Sequence, residues 1–123
     1  MGGGIIMGLD MYLYAKETHE IAYWRKANAI HGWIINRTNA IDDCTSINLY
    51  KQDIIDLRDT CIKVIEANTQ DAAEEFLPPM AGFFFGGGVD DWYWENIKET
   101  AGKLTTIIDQ SADDVTFEYR ASW

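Results

Sequence analysis

The chain has little of what most enzymes and membrane proteins show in their sequences. Only two cysteines, Cys44 and Cys61, and two histidines, His19 and His31, stand among 123 residues. None forms a CxxC or HxxxH pair, so the common structural-metal and dithiol motifs are excluded and no metal is expected. The glycine-rich stretch "GFFFGGG" at 82–88 lacks the lysine and Ser/Thr that a phosphate-binding loop needs. No G-x-S-x-G elbow is present. No catalytic residue and no cofactor are expected, with Cys44 and His31 left open as a nucleophile pair because spatial neighbours are invisible in sequence. No apolar run approaches a membrane span, and no basic segment leads into an apolar one as in a secretory signal. The expected setting is the cytoplasm, with both thiols reduced.

Positive charge is also scarce. Ten Lys and Arg face twenty Asp and Glu, for a net charge of −10. The imbalance is uneven. Residues 1–40 carry Asp10, Glu17 and Glu20 against Lys16, Arg25, Lys26 and Arg37, and the other seventeen acids and six bases lie in 41–123. Such a chain repels nucleic acid and anionic membranes, and it attracts basic surfaces. Plain solubility is the simpler use of the same charge.

What is abundant is aromatic area. Five Trp, six Tyr and five Phe make up 13% of the chain, and 47% of residues are hydrophobic. That is enough for one core in one domain. "MGGGII" before Met7 reads as a flexible extension over 1–6, with Met7 as the natural start and 7–123 as a single domain. "LDMYLYA" at 9–15 alternates, with Leu9, Met11 and Leu13 on one side and Asp10, Tyr12 and Tyr14 on the other, which predicts a strand. Thr18 is positioned to cap a helix over about 20–35. Trp24, Asn28, His31 and Ile35 share one stripe of it, and Tyr23, Ala27, Ile30 and Ile34 share the next.

A polar loop follows at 38–48, with a short extended piece near 45–49. Ile54, Leu57, Cys61, Val64 and Ile65 give a helix over 51–67 its buried face, and Thr69 caps a short third helix that Pro78-Pro79 ends. "GFFFGGG" reads as a short strand and glycine loop. Asp90 caps a fourth helix over about 91–108, with Val89 placed to staple against Trp94. In the last strand Phe117, Tyr119, Ala121 and Trp123 oppose Thr116, Glu118, Arg120 and Ser122. The expected fold is α+β, a small antiparallel or mixed sheet of about three strands packed against three to four helices.

Several stretches together carry a resemblance. "MGLDMYLYAK" at 7–16, "YWRKANAIHGW" at 23–33, "DDC" at 42–44, "GFFFG" at 82–86, "DDWYWENI" at 90–97 and "YRASW" at 119–123 resemble a family of small phage and prophage proteins, over nearly the whole chain from Met7. The resemblance implies a phage accessory protein that works in the host cytoplasm by binding and blocking a host or defence protein.

Two functional readings are carried forward. In the first, the chain is a non-enzymatic binder whose acidic 41–123 surface engages a basic partner, with nucleic-acid mimicry as one form. In the second, a nucleotide-like small molecule is held in a pocket of Trp24, Arg25, Asn28, His31, Arg120 and Trp123. Trp33, Asp10 and Tyr12 complete the candidate binding residues, because aromatic faces stack and Arg, Asn, Asp and His give directional hydrogen bonds. The same helical stripe also reads as aromatic core with its polar tips satisfied, the commoner use of aromatics at helical spacing. If the first and last strands pair, Asp10 and Arg120 meet in an ion pair or line one cleft. The oligomeric state is open, and an exposed aromatic patch favours a dimer.

Overall fold

Alternation of apolar and polar residues carries the sheet. The computed structural model describes residues 9–15, 19–25, 27–40, 46–79 and 89–122. Among these lie four strands, β1 (Asp10–Ala15), β2 (His19–Arg25), β3 (Ile47–Tyr50) and β4 (Thr116–Ser122). The helices are α1 (Asn28–Thr38), α2 (Lys51–Ala67), α3 (Gln70–Phe76) and α4 (Asp91–Gln110). The strands form one antiparallel sheet in the order β2-β1-β4-β3. The fold is α+β, as expected, with one more strand than expected. "GFFFG", expected as the second strand in chain order, lies outside the described residues, as do the extension at 1–6 and Thr18.

The largest correction falls on 20–35. Residues 19–25 are an edge strand, and the helix begins only at Asn28. Ala22 and Trp24 are buried while Tyr23 is exposed, which is the period of a strand. A bulge on β2 lies opposite Leu13 and Tyr14 of β1, where Leu13 registers with Ala22 and Tyr14 with Glu20. The extra residue, Ile21, packs against the core, and Glu20 stays exposed. The helix start carries no signal in sequence: its N-cap is Ala27, which has no capping side chain, and its first turn holds no acid. The Trp24–Asn28–His31 stripe therefore spans a strand and a helix.

The other elements follow their local chemistry. The Asp53 carboxylate accepts from the Tyr50 amide at 2.8 Å and opens α2. Thr69 Oγ1 accepts from the Ala72 amide at 3.1 Å and opens α3. Asn39 and Asn68 close α1 and α2 in the left-handed region, at φ 55° and 53°, where asparagine stands in for glycine. Asp90 Oδ1 accepts from the Tyr93 amide at 2.9 Å and caps α4, while Val89 and Trp94 pack on the core beside it. Asp90→Ala is expected to lower stability by about 1 kcal/mol, with most of the loss recovered in Asp90→Ser. Urea midpoints of the three proteins check this.

One face of the sheet is the floor of the core. Met11, Leu13, Ala22, Trp24, Leu49, Phe117, Tyr119 and Ala121 are all buried there. They meet Ile30 and Ile34 of α1, Ile54, Leu57, Cys61 and Val64 of α2, and Ile97, Leu104 and Ile107 of α4 in a single cluster. Arg37 ties α1 to α2 through Asp53, at 2.9 Å, and Asp56. The amide of Gln52, and then Arg37, hold the Asp56 carboxyl below its usual range. Among the described residues no helix is long and apolar enough to cross a membrane.

Candidate functional site

The second face of the sheet is the reverse of the buried alternation. On β1 it holds Asp10, Tyr12 and Tyr14, all partly exposed. On β4 it holds Glu118, Arg120 and Ser122. Register sets Tyr12 opposite both Tyr23 and Arg120, and Tyr14 opposite Glu118. The rings form a short ladder: Tyr12 lies 5.2 Å from Tyr23 and 6.3 Å from Tyr14, centroid to centroid. The Arg120 guanidinium lies 4.9 Å from the Tyr14 centroid, as a cation over a ring. It also pairs with Glu118 at 2.7 Å. At the far end the Tyr23 hydroxyl donates to Asp10 at 2.8 Å.

Three of the sequence-predicted residues, Asp10, Tyr12 and Arg120, thus share this face. The strands β1 and β4 do pair, but Arg120 takes Glu118 on its own strand in place of Asp10. Asp10 registers with Ser122.

The remaining candidates go elsewhere. Trp24 is 4% exposed, and its Nε1 donates to Thr100 Oγ1 on α4 at 2.8 Å. His31 is 1% exposed, and its Nδ1 shares a hydrogen bond of 2.6 Å with the hydroxyl of buried Tyr119. Donor and acceptor in that bond follow the His tautomer. Trp33 is half-buried under Arg37, 5.5 Å away, in a groove of about 570 Å³ that Phe76 and Pro78 also line. The backbone of Arg25 registers with Asp10, and Asn28 begins α1, but the side chains of both lie outside the description. Trp123 and Cys44 lie outside the described residues.

The pocket expected from Trp24, Arg25, Asn28, His31, Arg120 and Trp123 is therefore not assembled by its placed members. His31 packs with Tyr119 on the buried face of β4, and Arg120 is on the exposed face of the same strand. A second groove of about 910 Å³, lined by Glu20, Ile21, Lys103 and Ile107 among others, contains none of them.

Two residues were missed. Tyr23 was hidden by its assignment to a helical stripe, though its place between Ala22 and Trp24 is the alternation that reveals it. Trp92, 54% exposed in the first turn of α4, sits between Asp91 and the next acid, Glu95. Its position off the Trp94–Ile97–Ala101–Leu104 stripe was the available signal.

The helix layer carries the charge. Residues 51–114 hold fourteen acids against five bases. Lys51, Arg58 and Lys103 are taken up by Asp113, Asp59 and Glu99. Lys63 lies over the Phe76 ring. Glu66, Asp71, Glu75, Asp91, Glu95 and Asp109 are exposed and enter no ion pair among the described residues. No group of three or more His, Cys, Asp or Glu among the described residues is arranged to hold a metal ion. Burial pushes the Cys61 thiol up to about 12. Comparison with family models, curated proteins and solved structures found no match.

Proposed function

We propose that this chain is a non-enzymatic binding protein of the phage accessory kind, whose acidic helix layer engages a basic surface on a host or defence protein. The observation that carries the reading is the set of exposed carboxylates on α2, α3 and α4 that enter no ion pair among the described residues. Such charges are weakly attractive one at a time in water, about 1 kcal/mol at 4 Å. Summed over a surface they steer encounter and select the sign of the partner. A basic surface that normally holds nucleic acid has the matching charge, so mimicry of a phosphate backbone is the form of recognition expected.

Trp92 supplies what charge does not. An exposed tryptophan within an acidic field is the residue type that anchors protein interfaces. Trp92→Ala is expected to leave the melting temperature within a few degrees of wild type and to weaken partner capture.

The test is capture from host lysate on the immobilised protein, at about 50 mM and about 500 mM salt, with competition by double-stranded DNA. The expected result is a protein retained at low salt, released at high salt and displaced by the DNA. If no salt-sensitive protein is retained, the reading fails.

A further inference from the structure

The geometry points to a second copy of this chain as the occupant of the exposed sheet face, in a weak two-fold dimer centred between the Tyr12–Arg120 and Tyr14–Glu118 pairs. The four strands carry Asp10, Glu20 and Glu118 against Arg25 and Arg120, a net of −1, while residues 51–114 carry a net of −9. Two copies that meet through their helices bring like charge against like charge. The sheet face is the side of the described structure on which two copies meet without that penalty.

The face is also self-complementary. A two-fold contact sets each residue of the patch against its own counterpart or a neighbour. Here the central strands β1 and β4 hold both signs beside one another, with Arg120 next to Glu118 and Asp10 two residues from Tyr12. Turning a second sheet over about an axis that crosses the strands between the Tyr12–Arg120 and Tyr14–Glu118 rows brings the Arg120 of one copy to the Glu118 of the other. Between the charges lie Tyr12, Tyr14 and Tyr23, and Tyr and Arg are the types enriched at interface centres. Arg120 is half-exposed and Tyr23 is 38% exposed, so part of each side chain reaches the surface of the face.

Area sets the strength. Four strands of up to seven residues, about 4.8 Å apart and about 3.4 Å per residue, span roughly 450 Å². That is about half of the ~800 Å² per partner of a standard stable interface. The dimer should therefore dissociate in roughly the 10–100 µM range.

Sedimentation velocity of the full chain from about 5 to about 500 µM tests it. The expected result is a concentration-dependent monomer–dimer equilibrium. Arg120→Glu should weaken it at least about ten-fold, and the exchange Glu118→Arg with Arg120→Glu should restore it, because the face is again self-complementary. Trp92→Ala should leave it unchanged. A monomer over the whole range overturns the inference whatever the variants do. So does a dimer that Arg120→Glu leaves intact, or one that Trp92→Ala disrupts.

Discussion

Trp24→Ala is expected to lower stability by about 3–5 kcal/mol, the range for removing a large buried aromatic. The side chain is 4% exposed on the buried face of β2. It joins an edge strand to α4 through its bond to Thr100, and Lys103 lies 5.4 Å from its ring while donating to the Tyr23 carbonyl. Truncation removes the packing and the tie together, and leaves a cavity between strand and helix. Against a total stability of about 5–15 kcal/mol this is enough to unfold a marginal domain. Trp24→Phe keeps most of the area and loses the hydrogen bond, so its cost should be nearer 1–2 kcal/mol. Urea denaturation with a constant m-value measures both. A Trp24→Ala protein within about 0.5 kcal/mol of wild type would mean that the ring is not core, and would return it to the candidate ligand-binding residues.

Cys61 should be almost inert in the native protein. Its thiol is pushed by burial from about 9 to about 12. At pH 8 that lowers the thiolate fraction by roughly a thousand-fold, and the thiolate is the reacting form. In a Cys44→Ser background, alkylation of Cys61 by iodoacetamide at pH 8 should follow global unfolding and not direct attack. Rapid labelling of the folded protein would contradict the burial and reopen thiol chemistry at this position. The pH dependence has a definite sign. Between about 9 and about 12 the unfolded chain loses the thiol proton while the native chain keeps it, so stability is intact below that window and falls as pH rises through it. Tyr93 acts in the same direction, raised first by burial and then by Cys61 nearby.

What was legible in the sequence follows from how local the signals are. Helix α4 announces itself through the Asp90 cap and the Ile97–Ala101–Leu104 stripe, and β4 through seven residues of unbroken alternation. The boundary between β2 and α1 was not legible. Ala27 caps nothing, and Trp24, Asn28, His31 and Ile35 match a helical spacing by chance across the junction. Of the candidate site, Asp10, Tyr12 and Arg120 were readable because strand alternation alone places them on one face. Glu118, two residues from Arg120 on the same strand, was readable with it, but Tyr23 as the partner of Asp10 depends on which strands pair, and pairing is a long-range choice that composition does not encode. His31 illustrates the same limit. A histidine among aromatics reads as a ligand residue until a tyrosine 88 positions away is seen to hold its ring nitrogen.

The central claim is that the working surface is the acidic helix layer. The direct measurement compares two variants with wild type in capture from host lysate at low salt. One neutralises exposed carboxylates that enter no ion pair among the described residues, as Glu66→Gln, Asp71→Asn, Glu75→Gln, Glu95→Gln and Asp109→Asn together. The other is Tyr12→Thr on the sheet face. The account predicts that the neutralised protein folds normally and loses the captured partner, while Tyr12→Thr retains it. Retention by the neutralised protein, with loss in Tyr12→Thr, would contradict the claim and move the binding surface to the sheet.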